Sequence, residues 1–284
     1  MNRVHGSSML AFVLMAASAV SQAENTADGS KRVPPRSPQL KSNAVLVLDE
    51  ETSDVLYSRK ADVATPIASI TKLMTAIVVL EGGQPLDEMI EIAPADVAKG
   101  RGTFSRLAVG TELSRGDLLH LALMSSENRA AHALGRTYPG GLKAFIHAQN
   151  AKGKELGMTS ARFVDPTGLS SGNVASPLDL SKLVIAASRN ETIQEFSTDD
   201  SHVVQVGNLL LEYRNTDSLV SNPTWDIIVQ KTGYIAAAGR CLVLKTVIEG
   251  RSVVIVLLNS FGKYTRTADA KRVKTWMESA FEGT

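Results

Sequence analysis

The chain carries two serine–lysine pairs at a spacing of three, Ser69–Lys72 and Ser260–Lys263. Only the first lies in a segment that reads as a helix, 65–80, where residues three apart share one face at roughly 5–6 Å between Cβ atoms. That segment is apolar on nearly every face and is predicted to be buried. Pro66 pre-sets the backbone near its entrance, and Gly82-Gly83 closes its exit. A lysine written into such a segment needs a reason to be there. Uncharged, it is a base that can take the proton of the neighbouring hydroxyl and make Ser69 a nucleophile. The role requires the Lys72 pKa to fall from about 10.4 to near 7–8, helped by burial and by a second cation.

Two further motifs complete the chemistry. S-x-N occurs as Ser126–Asn128, Ser171–Asn173 and Ser188–Asn190, whereas Lys231-Thr232-Gly233 is unique. Context separates the copies. Ser260 follows a strand and runs into Phe261-Gly262, so Lys263 is not held on a helix face. Ser171 lies in a loop that begins around Asp165-Pro166-Thr167-Gly168, and Ser188 ends a helix. Ser126 falls between two helices, where a tight connection can push side chains into a cleft.

The elements that must position these residues come from both ends of the chain. Residues 44–48 and 55–58 read as two strands of a hairpin. From about 84 to 190 the pattern is helical. Ser114-Arg115-Gly116-Asp117 has the form of a capping box, 127–135 and 142–156 are helix candidates, and Ser176-Pro177-Leu178-Asp179 caps another. Strand character returns at 202–206 and 209–213 around Gly207-Asn208, then at 227–229, 240–249 and 252–259, before an amphipathic helix over 267–281. The fold class predicted is α/β of the α+β kind: an antiparallel sheet from both chain ends, flanked by helices, with an all-helical insertion.

Residues 1–23 have the form of a secretory signal: Arg3, an apolar run of twelve over 9–20, and small residues at Ser21-Gln22-Ala23. Twelve is fewer than the about 20 needed to span a bilayer. A periplasmic location and a mature chain with no transmembrane segment follow as expectations. Residues 24–42, polar with Pro34, Pro35 and Pro38, read as a disordered leader, and 43–284 as one domain. Without the signal, basic and acidic residues balance, so nothing points to nucleic acid or to general attraction to membranes. The one cysteine, Cys241, reads as a small buried hydrophobe in a strand. His5, His120, His132, His147 and His202 show no metal-ligand spacing, so neither a metal nor another cofactor is expected.

S-x-x-K, S-x-N and K-T-G in this order are the motif set of penicillin-binding proteins and class A β-lactamases. The stretches 124–131, 163–169 and Asn215-Thr216 extend the likeness. From about residue 44 to its end the chain resembles the low-molecular-weight penicillin-binding proteins, the D-alanyl-D-alanine carboxypeptidase family of serine peptidases, and within it the endopeptidases of the penicillin-binding protein 7 type. Where the handed-down motif is S-D-N, this chain has Ser126-Glu127-Asn128, which keeps both polar ends. The carboxypeptidase branch usually carries a further β-rich domain and a membrane anchor, whereas this chain ends soon after its last helix.

The resemblance implies a fold of the β-lactamase and transpeptidase type and a set of roles. Ser69, Lys72 and Ser126 would be catalytic, with Ser126 relaying a proton to the leaving amine. Asn128 would hold Lys72 and the substrate amide, and Lys231 and Thr232 a substrate carboxylate. Gly233 would leave the strand edge open to substrate backbone, and the backbone N–H groups of Ser69 and Tyr234 would form the oxyanion hole. The partners implied are peptidoglycan stem peptides and cross-links, with β-lactams as covalent inhibitors; the 163–169 loop would contribute to the leaving-group side. Three alternatives stand beside cross-link hydrolysis: a carboxypeptidase acting on pentapeptide stems, a β-lactamase, or a non-catalytic wall-binding protein. A class A β-lactamase needs a carboxylate in a Glu-x-x-Leu-Asn loop, and the only Glu-x-x-Asn between the second and third motifs is Glu212–Asn215.

Overall fold

The structure, a computed structural model, describes residues 37–98 and 105–281. Strands β1 (Ala44–Asp49) and β2 (Val55–Arg59) form the predicted hairpin. A two-residue strand β3 (Thr65–Pro66) follows, then helix α1 (Thr71–Glu81). The block after it holds β4 (Met89–Glu91), β5 (Glu112–Ser114), α2 (Arg115–Met124), α3 (Asn128–Arg136) and α4 (Gly141–Glu155). It continues through β6 (Val174–Ala175), α5 (Pro177–Ala187) and α6 (Glu191–Thr198). The chain returns through β7 (Ser201–Val206), β8 (Leu209–Arg214), β9 (Asp226–Ile235), β10 (Gly239–Ile248) and β11 (Arg251–Ser260) to α7 (Thr265–Phe281).

The main sheet is antiparallel, in the order β2-β1-β11-β10-β9. The first strands of the chain thus sit beside its last one, as expected for a sheet built from both ends. Because side chains alternate across a strand, each strand feeds two cores. Ala44, Leu46, Cys241, Val243, Val254, Val256 and Leu258 join the core of α1 and the helical block. Val45, Val47, Leu242, Leu244, Val253, Ile255 and Leu257 pack with Ala270, Val273 and Met277 of α7, a spacing of three and four along one helix face.

Three details differ from the sequence expectation. The insertion is helical except for β4 and β5, which pair with each other, and β6, which pairs with β3. β7 and β8 form a separate two-stranded sheet, which packs Val204 and Tyr213 into the α1-side core and leaves Leu209 and Leu210 exposed. Most of the leader expected over 24–42 lies outside the described residues, but its last residues are packed. Leu40 joins the α7-side core, and the Ser42 hydroxyl meets Ser260 Oγ at 2.7 Å and donates to Asp269 Oδ2 at 2.6 Å. Ser260, of the second serine–lysine pair, is therefore a buried structural serine.

Candidate active site

Helix α1 is buried along its length, as its composition requires, and Lys72 is buried with it. The regular helix nevertheless starts later than the apolar run suggests. Ala68–Ile70 is a short 3-10 turn, with Ala68 at φ +50°, a left-handed conformation that non-glycine residues rarely adopt. Pro66 belongs to β3, ahead of this turn, and does not open the helix. The turn projects Ser69 at the head of α1, one helical step from Lys72.

Lys72 Nζ has three oxygen neighbours. It lies 2.9 Å from Ser69 Oγ, 2.8 Å from Asn128 Oδ1 and 2.8 Å from the Thr167 carbonyl. Burial draws the Lys72 pKa down to about 7, while the charges of Asp165 and Glu127 pull it back up. Burial is the largest cause of that fall, and the mutual repulsion of the two lysines is felt at Lys231. Lys231 is held well below the ordinary lysine range by burial first, then by the charges of Lys72 and Arg266, with Asp217 opposing.

Ser126 is presented by a turn with a clear local cause. The Leu121 carbonyl at the end of α2 accepts from Ser125 N–H, Ser125 Oγ and Glu127 N–H, at 3.2, 2.8 and 3.0 Å. Closing the chain this tightly places Ser126 at φ +62° at the corner. Glu127 then caps α3, its Oε1 accepting from Arg129 N–H at 3.0 Å. A side chain at this middle position is needed as a cap, and glutamate supplies it.

The K-T-G strand is β9, at the edge of the main sheet. Thr232 Oγ1 lies 2.7 Å from Thr216 Oγ1, and Thr216 N–H donates to the Met124 carbonyl at 3.1 Å, tying this strand to the turn that carries Ser126. A Cβ on Gly233 would lie 3.0 Å from Ser69 N, 3.1 Å from Ala68 Cβ and 3.1 Å from the Ile67 carbonyl oxygen. The glycine expected to leave the strand edge open also lets β9 approach the backbone of the Ser69 turn. Tyr234 is more than half exposed, with the Arg240 guanidinium 4.7 Å from its ring centre.

The 163–169 loop packs against α1 and the turn that carries Ser69. Asp165 Oδ1 accepts from Thr167 N–H, Thr167 Oγ1 and Gly168 N–H at 2.6, 2.6 and 2.7 Å. Asn173 Nδ2 donates to Asp165 Oδ2 at 2.8 Å, while Asn173 Oδ1 accepts from Val164 N–H at 2.8 Å. The Pro166 carbonyl accepts from Thr75 Oγ1 at 2.7 Å. Gly168, at φ +82°, stands where a Cβ would come within 1.9 Å of the Ala68 carbonyl oxygen. The loop thus braces the strained Ala68 turn from below and gives Lys72 its third acceptor.

A profile of the D-alanyl-D-alanine carboxypeptidase family of peptidases matches residues 31–262. The chain belongs to that family. It is 48% identical over 247 residues to the D-alanyl-D-alanine endopeptidase of Pseudomonas aeruginosa, covering 86% of this chain and 80% of the relative. It is 47% identical over 244 residues to that of Escherichia coli, covering 85% and 79%. Its fold is similar to the crystal structure of the Streptomyces K15 DD-transpeptidase, with a TM-score of 0.79 and 26% identity over 87% of this chain and 99% of that one. It is an enzyme of the serine-hydrolase class.

For this peptidase the structure places Ser69, Lys72 and Asn128 in one hydrogen-bonded group, and packs Gly233 against the Ser69 turn with Thr232 joined to it through Thr216. Sequence reasoning gave no individual role to the Thr167 carbonyl, Gly168, Thr216 or Arg266, whose Nη1 donates to the Gly233 carbonyl at 3.4 Å. For the first two a signal existed in the run Asp165-Pro166-Thr167-Gly168, which has the composition of a tight turn. The surplus S-x-N copies are structural. Asn173 knits the loop, Ser188 Oγ accepts from Lys245 Nζ at 3.0 Å, and Asn190 caps α6. Glu212 is on β8 at the surface, 3.0 Å from Arg214. Cys241 is buried, its thiol pushed up to about 11 by burial. His120 is stacked between Phe196 and His202, at 4.3 and 4.1 Å between ring centres. His5 lies outside the described residues.

Proposed function

We propose that this peptidase hydrolyses the D-alanyl–diaminopimelate cross-links of peptidoglycan in the periplasm, through an acyl-enzyme on Ser69. The observation that carries the reading is the buried Lys72 amine, its pKa near 7, lying 2.9 Å from Ser69 Oγ. Nζ takes the hydroxyl proton as Oγ bonds to the D-alanine carbonyl carbon, with the developing oxyanion facing the N–H groups of Ser69 and Tyr234. The C–N bond then breaks, and the leaving amine receives a proton through Ser126. Water attacks the ester carbonyl, gives its proton to the restored base, and releases Ser69. Asn128 orients Lys72 and the substrate amide, Lys231 and Thr232 hold the carboxylate beside the scissile bond, and Gly233 keeps β9 close to the reacting centre. A β-lactam would acylate the same serine.

The endopeptidase reading rests on the two relatives of that name at nearly half identity; the family description favours a second reading, a D-alanyl-D-alanine carboxypeptidase acting on pentapeptide stems. The bond broken on the acyl side is the same in both, so substrate, not mechanism, separates them. Two measurements test the reading. Ser69→Ala is expected to abolish labelling by a fluorescent penicillin in folded protein, and a label surviving on Ser126 or Ser260 overturns the choice of nucleophile. Cross-linked dimers and monomeric pentapeptides digested side by side decide the substrate; faster release of D-alanine from the pentapeptide makes the protein a carboxypeptidase.

A further inference from the structure

Beside the turn that carries Ser126 lies a cavity of about 240 Å³, lined by Ser105, Arg106, Ser125, Glu127, Tyr213 and Arg214. Ser125 and Glu127 flank Ser126 in sequence, so the cavity abuts the turn that carries it. Its lining is of mixed sign. Two guanidiniums are exposed on one part of it, Arg106 with its carbon centre 3.8 Å from the middle of the Tyr213 ring and Arg214 paired to Glu212 at 3.0 Å. The other part is a buried carboxylate, Glu127, only one oxygen of which is used in capping α3.

The second observation is Tyr213. It is 3% exposed, and apart from its interaction with the Arg106 guanidinium its hydroxyl makes no well-aligned hydrogen bond among the described residues. A buried hydroxyl left short of a well-aligned partner costs free energy. Such a group in the wall of a cavity is what a polar ligand would satisfy. A simple anion would be repelled by Glu127, and a simple cation by the two arginines. A ligand with an ammonium and a carboxylate on one carbon meets both halves, with the ammonium on Glu127 and Tyr213 and the carboxylate on the guanidiniums.

We propose that this cavity is a subsite for a zwitterionic amino-acid end group of the substrate, the free end of the diaminopimelate in the strand that acylates Ser69. The inference rests on the cross-link reading above, in which that strand carries such an end one residue before the D-alanine. It makes Arg106, Glu127 and Tyr213 determinants of specificity on the acyl side.

The test uses the full mature enzyme and three cross-linked dimers: one with the free end intact, one with its carboxylate amidated, and one with its amine acetylated. The intact dimer is expected to be cut with kcat/KM at least about tenfold above either modified one, a ratio that needs no variant to measure. Arg106→Gln is expected to erase the penalty for amidation and Tyr213→Phe to reduce that for acetylation, each mainly through KM. Equal kcat/KM for the three dimers with the wild-type enzyme overturns the proposal, as do ratios unchanged in both variants. Labelling of Ser69 by a fluorescent penicillin is measured alongside. A subsite that fails while labelling persists leaves the acyl-enzyme reading standing, and lost labelling in the wild-type enzyme refutes that reading itself.

Discussion

The two faces of the main sheet are built by the same strands and bury different things. Toward α7, Val45, Val47, Leu242, Leu244, Val253, Ile255 and Leu257 meet Ala270, Val273 and Met277, an apolar contact of ordinary residues in ordinary conformations. Toward α1, the core also encloses Lys72, Lys231, Thr75, Gln149 and Gln230, all at most a few per cent exposed. The left-handed Ala68 and Ser126 stand at the edge of that second face, with Gly168 and Gly233 pressed against the first of them. Lys72 and Lys231, both fully buried, thus lie on one face, and that face is the one proposed to carry the chemistry. Both faces bury apolar side chains, but only one also encloses the buried lysines, so the two should respond differently to substitution.

The largest separation is expected at Lys72. Lys72→Ala should slow acylation by a fluorescent penicillin by about 10²–10⁴-fold, the usual range for a positioned general base. Thermal stability should fall far less than for an equally buried leucine, because the lysine is held neutral at a cost. Acylation within a few-fold of wild type would break the comparison, since Lys72 would then be a mere core residue.

Next comes the brace under the Ser69 turn. Gly168→Ala would drive a Cβ to 1.9 Å from the Ala68 carbonyl oxygen, backbone that cannot rotate away. The control is Gly250→Ala in the β10–β11 turn, also left-handed at φ +72° but with nothing within 4 Å. Gly250→Ala should cost only the left-handed backbone term, about 1–2 kcal/mol by denaturant titration, with acylation unchanged. Gly168→Ala should cost more and lose most of the acylation rate as well. Similar losses at the two positions would mean that the loop does not hold the Ser69 turn.

Leu257→Ala sharpens the comparison from the other side. It opens a cavity under α7 and should destabilise the protein by about 2–5 kcal/mol. The folded fraction should still be labelled at the wild-type rate, within about twofold, given ordinary additivity at distant sites. A matching fall in labelling would show that the two faces are mechanically coupled.

What the sequence disclosed follows the same division. Alternating apolar strands, capping residues and the three motifs are local patterns, so the sheet from both chain ends, the capped helices and the Ser69–Lys72–Asn128 group were all legible. The late start of α1 was not, because Ala68 is left-handed for tertiary reasons: Gly168 from a remote loop and Gly233 from strand β9 press against it. The Thr167 carbonyl was equally hidden, since backbone atoms leave no mark on residue type. The sign of charge around Lys72 also depends on which distant carboxylates arrive there, and only the fold brings Asp165 and Glu127 within reach.

That sign gives the smallest effect and the finest test. With the Lys72 pKa near 7, the amine is mostly charged below that pH and cannot accept the Ser69 proton. Acylation should therefore rise with pH through about 7 and level off above it. Asp165 and Glu127 favour the charged amine, so removing either charge must move this limb to lower pH. Asp165 has the larger influence, but its carboxylate holds the whole 165–173 loop, and its loss would confuse charge with collapse. Glu127→Gln keeps an oxygen to cap α3 while removing the charge. The expected displacement is downward by about half a pH unit, on the order of 0.7 kcal/mol. Benzylpenicillin is the right probe, because its side chain has no charged end to engage the cavity beside Ser126. A limb that stays in place, or moves upward, would mean that the group titrating near neutrality is not Lys72, and the face of buried charge would lose its claim to be the catalytic one.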